Sequence, residues 1–234
     1  MAQTDGLRWL VTAGPTCEDI DPVRFITNRS SGRMGYAVAR AAAERGDRVT
    51  LVSGPVAIEA PPGCEVVRVR SAREMHHAVL GRYAEVDVVV MAAAVADFRP
   101  RAAAPGKIKK ADSAAGGSMT LELERTEDIL AEMGRRKSTQ VLIGFAVEAF
   151  AGEGTDITDQ MRSSARAKLA GKNLDAVVLN GPAAFGSEQS TVEVVDARDA
   201  RGESRAWGEA TKTEHARRIV ELAAEITTTR GAKR

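Results

Sequence analysis

Residues 7–53, LRWLVTAGPTCEDIDPVRFITNRSSGRMGYAVARAAAERGDRVTLVS, decide the fold. Leu7 to Ala13 is an apolar run that barely alternates, the pattern of a strand buried on both faces of a parallel sheet. Tyr36 to Arg45 places Val38, Ala41 and Ala42 at helical spacing, and Arg45-Gly46 closes that helix ahead of a second β-branched strand, Arg48 to Ser53. Strand, helix and strand make a βαβ unit, right-handed by default. Its first junction is anomalous. A Rossmann unit turns there within a few residues on G-x-G-x-x-G, whereas here the whole of Gly14 to Gly35 intervenes, carrying Pro15, Pro22, Arg24, Asn28, Arg29, Ser30 and Ser31.

The alternation continues outward. Pro- and Gly-rich turns bracket a short strand from Glu65 to Val69, and Ser71 caps a helix running to Tyr83, with Glu74 three residues on. Val86 to Met91 is a core strand that empties into AAAVADF, small residues that let a ligand approach the backbone at the carboxyl end of a parallel strand. Residues 99–118 (RPRAAAPGKIKKADSAAGGS) show no clear period and read as a mobile, lysine-bearing flap. Met119 to Glu124 alternates like a half-solvated strand, and Thr126 opens a capped helix, TEDILAEMG, whose amino end can receive phosphate. Gln140 to Phe145 and Leu174 to Leu179 are further core strands, flanking a polar helix from about Ile157 to Gly171 on which Lys168 stands four residues before Lys172. Thr191 to Val195, a turn at Arg201-Gly202 and a final amphipathic helix from about Glu209 to Ile226 complete the chain. The expected fold is α/β: a three-layer, Rossmann-like open sheet, mainly parallel, with helices on both faces, as one domain over 1–234.

Composition narrows the function. At 33 basic against 32 acidic residues, the formal charge of +1 points to neither nucleic acid nor membrane, and 4% aromatic content disfavours a base-stacking RNA platform. No apolar run approaches a membrane span and no signal-peptide pattern opens the chain, so a cytoplasmic protein is expected. Cys17 and Cys64 lie far apart, with no histidine at metal spacing, so neither a disulfide scaffold nor a zinc site is indicated. His76, His77 and His215 read as surface or structural residues.

Four groups of residues carry candidate chemistry. NRSSGRMG, Asn28 to Gly35, joins an amide, two hydroxyls, two arginines and two glycines to a helix start, which suits a carboxylate or phosphate; the bland alternative is a polar loop capped by Ser31. Lys107 in KIKK is either a solvated charge run or a flap cation that closes over a triphosphate. Phe145 at a strand end is either a core aromatic or a wall for a nucleobase. Asp97, after AAAVA, can bind both hydroxyls of a ribose. No catalytic triad and no Walker loop is present.

Taken together, AGPTCEDIDPVRFITNRSSGRMG, AAAVADF, PGKIKK, IGFAVE and KLAGKNLD, in this order and spacing, closely resemble phosphopantothenoylcysteine synthetase. This is the synthetase domain of a bifunctional coenzyme A biosynthesis protein of bacteria. The resemblance runs from about Leu7 to beyond Asn180. It implies a ligase that joins 4′-phosphopantothenate to L-cysteine with CTP and Mg2+, through an acyl-cytidylate, releasing pyrophosphate and then CMP. It further implies that Asn28 holds the acyl intermediate, that Arg24 helps build the same pocket across a homodimer interface, and that Lys107 supports cytidylate formation. Ser30, Ser31 and Gly32 would bind the acyl substrate. Ala92, Ala93, Ala94 and Asp97 would lie beside the nucleotide, with Ala93 where bulk would intrude, Phe145 near the cytosine, and Lys168 and Lys172 on the triphosphate. Glu127, Asp128, Ile129 and Leu130 match a helix start that faces phosphate, where the family often has proline at the position of Glu127. A flavin-dependent decarboxylase domain is an expected partner, and no flavin is expected in this chain. Against this stand two rivals: a non-catalytic nucleotide-binding module and a Rossmann-type NAD(P) oxidoreductase. For the latter, Tyr36 and Tyr83 lack a lysine four residues on, and the tight glycine fingerprint is missing.

Overall fold

The computed structural model describes residues 6–109, 118–147, 157–181, 187–199 and 203–231. Lys110 and the rest of the flap to 117, Glu148, Ala149 and the Arg201-Gly202 turn lie outside the described residues.

Twelve strands and five helices alternate along the described chain. The βαβ reading holds: β1 (Arg8–Ala13), α1 (Arg33–Glu44) and β4 (Arg48–Ser53) form one unit, with β1 and β4 parallel and Leu10 opposite Thr50. β5 (Cys64–Arg68), α2 (Ala72–Tyr83), β6 (Val88–Met91), α3 (Ile129–Arg136), β9 (Val141–Val147), α4 (Asp159–Gly171) and β10 (Ala176–Asn180) continue the pattern. The main sheet runs β12-β11-β10-β9-β6-β1-β4-β5. It is parallel from β5 to β10, and β11 (Gln189–Asp196) and β12 (Ser204–Thr211) add an antiparallel meander at one edge. The chain leaves β1 towards β4 and β5 and then returns to β6 on β1's other side, so a crevice opens above the carboxyl ends of β1 and β6.

Two cores account for the layers. Alternate strand residues face opposite ways. Trp9, Val11, Val88, Val90 and Ile143 pack with Val38 and Ala42 of α1 and with Ile219 and Ala223 of α5 (Lys212–Gly231). Leu10, Val89, Leu142 and Val177 pack on the other face with Met75 of α2, Met133 of α3 and Met161 of α4. Ser71 caps α2 as expected, accepting from Glu74 N at 3.1 Å, while the Glu74 carboxylate accepts from Arg70 N at 2.7 Å.

Four expectations need correction. The Gly14–Gly35 stretch is not an irregular loop: β2 (Cys17–Asp19) and β3 (Phe25–Thr27) form a small hairpin, too short to show a period. The flap begins with structure, because β7 (Phe98–Pro100) pairs antiparallel with β8 (Leu123–Arg125), and β8 is all that forms of the expected 119–124 strand. Thr126 does not cap α3; its hydroxyl donates to Ala96 O at 2.6 Å, and Asp128 caps instead, accepting from Ala131 N at 2.9 Å. The last helix starts at Lys212 and not at Glu209, because β12 occupies the preceding residues and a Thr211–Glu214 pair caps α5. His215 lies fully buried, its Nε2 2.7 Å from Ser190 O.

Candidate active site

One cleft of about 880 Å³ lies over the carboxyl ends of β6, β9 and β10. Its floor is AAAVAD, held from both sides. Ala94 N donates to Gly14 O at 2.9 Å, Ala93 N to Thr12 Oγ1 at 3.1 Å, and Ala96 N to Thr16 Oγ1 at 3.0 Å. From the hairpin, Asn28 Nδ2 donates to Ala94 O at 3.0 Å. A segment of small residues pinned this way presents fixed backbone groups, which suits reading the edge of a base without side-chain rearrangement. Ala92, Ala93, Ala94 and Asp97 all line the cleft, and Phe145 forms a wall at the end of β9.

The starts of two helices open into this cleft. α1 begins after Gly32, which has φ +77° and makes no side-chain cap bond, so the first N–H groups of α1 are left for a ligand or water. The glycines there are steric requirements. A Cβ on Gly32 would come within 2.8 Å of Val56 Cγ1, and one on Gly35 within 2.6 Å of Thr12 O. Ser30, Ser31 and Gly32 line the cleft, and Ser30 Oγ accepts from Gly32 N at 3.3 Å, so Ser31 is not the cap.

The second helix start is that of α3, where Glu127, Asp128, Ile129 and Leu130 all border the cleft. Lys168 and Lys172 approach from α4. Lys172 Nζ lies 2.6 Å from Asp128 Oδ2, and Lys168 Nζ donates to Phe145 O at 2.6 Å. Partial burial works against ionisation of Asp128, but Lys172, the Ala131 N–H and Lys168 outweigh it and hold the carboxyl below the usual range. Glu127 is matched by Arg99 at 3.1 Å, which also pairs with Glu124 at 2.8 Å.

Neither Arg24 nor Lys107 lines the cleft within this chain. The reason is a set of ties between the flap's base and the hairpin. Ala104 N donates to Ile20 O at 2.8 Å, Ile108 N to Asp21 Oδ2 at 3.2 Å, and Arg24 Nη2 to Ile108 O at 3.2 Å. Arg24 is thus engaged within its own chain, and Lys107 is exposed. Burial would raise the Asp21 carboxyl, but the N–H groups of Val23, Ile108 and Arg24 hold it below its ordinary value.

Arg33, one of the two arginines of the NRSSGRMG segment, lines the cleft, as do Asn180 and Lys212, which the sequence did not single out. Asn180 reaches the cleft as the last residue of β10, and Lys212 carries no local signal, since only the sheet's meander brings it to this end. Among the described residues no three His, Cys, Asp or Glu side chains group to hold a metal ion, and no helix is long and apolar enough to cross a membrane.

Comparison with known proteins follows this geometry. Residues 4–226 match the family described as the DNA/pantothenate metabolism flavoprotein C-terminal domain. The chain is 47% identical over 198 residues to the coenzyme A biosynthesis bifunctional protein CoaBC of Bacillus subtilis, covering 82% of this chain and 46% of that protein. With the CoaBC protein of Mycobacterium tuberculosis it shares 49% identity over 177 residues, 75% of this chain and 42% of the relative. The chain therefore spans about half the length of the curated relatives it matches. A crystal structure of the C-terminal domain of a CoaBC protein superposes with a TM-score of 0.76 at 40% identity, covering 96% of this chain and 99% of that one.

Proposed function

From the premise that this chain belongs to the DNA/pantothenate metabolism flavoprotein C-terminal domain family, we propose that it is the ligase joining 4′-phosphopantothenate to L-cysteine in coenzyme A biosynthesis, with CTP as cosubstrate. The observation that carries this reading is the cleft in which a pinned small-residue floor, the Asp97 carboxylate, the α3 amino end and two lysines converge.

In this reading the base lies against Phe145 and the backbone of Ala92 to Ala94, the ribose hydroxyls bond Asp97, and the phosphates meet α3, Lys168 and Lys172. Mg2+ would accompany the triphosphate as its counter-ion and supply charge neutralisation there. The substrate carboxylate attacks the α-phosphorus; its new O–P bond replaces the α–β bridge, and pyrophosphate leaves. The cysteine amine then attacks the acyl carbon and loses a proton, the acyl C–O bond breaks, and CMP leaves. Asn28 trades its bond to Ala94 O for the acyl oxygen, and Lys107 swings in to neutralise phosphate charge during the first step. That motion requires the bond that Ile108 N donates to Asp21 and the one that Arg24 donates to Ile108 O to loosen. Homodimerisation through the hairpin, where Val23 and Phe25 are exposed, gives Arg24 a second pocket to complete. A cytoplasmic setting beside a flavin-dependent decarboxylase domain completes the reading, with no flavin bound by this chain.

The test incubates the protein with CTP, magnesium, 4′-phosphopantothenate and cysteine and follows pyrophosphate. Lys107→Gln is expected to block pyrophosphate release, and Asn28→Asp to let acyl-cytidylate accumulate. Absence of pyrophosphate with CTP and with ATP refutes the reading, leaving a nucleotide-binding module.

A further inference from the structure

The start of α3 carries two carboxylates where the reading above places the nucleotide's phosphates. Glu127 and Asp128 both border the cleft. An uncompensated carboxylate at such a point repels a polyphosphate and offsets what the free N–H groups and the helix dipole supply. Lys172 meets Asp128 at 2.6 Å from α4 and lines the cleft itself, so a bound phosphate can share it. Glu127 is met from β7 instead.

Arg99 is the middle residue of β7 and stands directly opposite Glu124 of β8. Its Nε donates to Glu124 Oε1 at 2.8 Å and its Nη1 to Glu127 Oε2 at 3.1 Å, so the cross-strand carboxylate fixes the planar guanidinium and Glu127 takes another of its donors. The Arg99 side chain is 16% exposed against 40% for Glu127, and Arg99 is not among the described residues that line the cleft. It meets the cleft only through Glu127. Other bonds already hold the junction in place: Thr126 N donates to Asp97 O at 3.0 Å, and the Thr126 hydroxyl donates to Ala96 O at 2.6 Å. These ties need no particular side chain at position 99, so what Arg99 adds there is charge. The N–H of Glu127 itself, with the charge and hydrogen bond of Arg99 and the field of His76, outweighs partial burial and holds the Glu127 carboxyl below its ordinary range. Glu127 is therefore a full negative charge at neutral pH.

We propose that Arg99 is a positioning residue for the nucleotide: by pairing with Glu127 it keeps the amino end of α3 open to the triphosphate, without itself touching the ligand. The proposal rests on the reading above for what binds at α3. Its signature is a penalty that scales with the ligand's charge. Without Arg99 the Glu127 carboxylate opposes the four or so negative charges of CTP, whereas uncharged cytidine, bound through base and ribose, is indifferent to it. The loss falls on binding and not on the chemical step, because Glu127 faces the same phosphates before and during the transfer.

Pyrophosphate release and isothermal titration of the intact protein with CTP and with cytidine test this. Arg99→Met should raise KM and Kd for CTP about 5- to 30-fold, the effect of one uncompensated charge beside a polyanion, and leave kcat, KM for 4′-phosphopantothenate and cytidine affinity within about twofold. Added salt should shrink the CTP defect. Combining Arg99→Met with Glu127→Gln should bring CTP back to within about threefold of wild type, and Arg99→Lys, which keeps the charge but loses the fork, should fall between. A double variant as weak as Arg99→Met, or equal loss for cytidine and CTP, would make Arg99 a strap between β7 and β8 and overturns the proposal. Should circular dichroism show Arg99→Met unfolded, Arg99→Lys and Glu127→Gln decide: the first must weaken CTP and spare cytidine, and the second must bind CTP at least as tightly as wild type. Wild type that binds CTP but releases no pyrophosphate sinks the reaction, and the calorimetric arms still decide the role of Arg99. Turnover and CTP affinity indifferent to Arg99→Met sink this proposal and leave the reaction standing.

Discussion

Gly134→Ala probes how the fold delivers Lys172 to the cleft. Gly134 sits in α3 against the end of α4, where an added Cβ would lie 1.9 Å from Lys172 O and 2.8 Å from its carbonyl carbon. A carbon–oxygen contact relaxes at about 3.3 Å, so the two helices must part by about 1.4 Å. Neither neighbour gives easily, because Asn173, at φ +50°, locks the junction: its Nδ2 donates to Gly134 O at 3.0 Å, and Lys137 Nζ donates to Asn173 O at 2.8 Å. Overpacking of this kind costs about 1–3 kcal/mol. At about 2–4 °C per kcal/mol for a chain of this size, Tm should fall by about 2–12 °C. Lys172 shifts with the carbonyl and leaves Asp128, so kcat/KM for CTP should fall by about 10- to 100-fold. Calorimetry and pyrophosphate release measure the two effects. Gly171→Ala, one residue before Lys172 with nothing within 4 Å of its Cβ, is the control and should change neither. A Gly134→Ala protein with unaltered Tm and unaltered CTP kinetics would refute the reasoning.

Three further outcomes are expected. Asp175, 4% exposed, faces Lys137 at 2.9 Å, pairs with Arg230 and accepts from Leu142 N at 2.7 Å. Asp175→Ala strands a buried ammonium and should cost about 3–5 kcal/mol in urea unfolding, part of it recovered by adding Lys137→Met. The Asp21 carboxyl is held below its ordinary value, so the stability it contributes is present above the usual carboxylate range and is lost as pH falls through the lower folded value; proteolysis near the flap should accelerate below about pH 4 in wild type, and Asp21→Ala should remove that step. Lys172→Met should raise KM for CTP and let the Asp128 carboxyl rise back towards its ordinary range, which carbon-detected NMR titration would follow.

The parallel half of the sheet was legible because its strands are buried on both faces. LRWLVTA, RVTLVS and VDVVVM therefore read as near-continuous apolar runs between glycine turns. β12 was not, since SRAWGEAT is an edge strand with mostly exposed or half-buried side chains, broken by Gly208 at φ +74°. The hairpin failed for length, three residues giving no period to detect. Site residues within contiguous motifs, such as AAAVAD and the α3 start, were found together at the cleft because one strand end or helix start places them all. The places of Lys107 and Arg24 depend on long-range ties at Asp21 and Ile108, which spacing does not encode. Lys212 was invisible among 33 basic residues, as only its burial sets it apart.

The pairing of the first helix with the last has a consequence for how the molecule is made. Val38 and Ala42 of α1 share one core with Ile219 and Ala223 of α5, so a growing chain that has already formed β1, α1 and β4 still shows water an apolar face until its final helix emerges. The loop closed by that contact is about three-quarters of the chain, and its entropy must be lost before the contact returns anything. Folding should therefore finish slowly and late, with the α2–α3–α4 face assembled first. During that wait the exposed α1 face is where a chaperone would bind or two unfinished chains would meet.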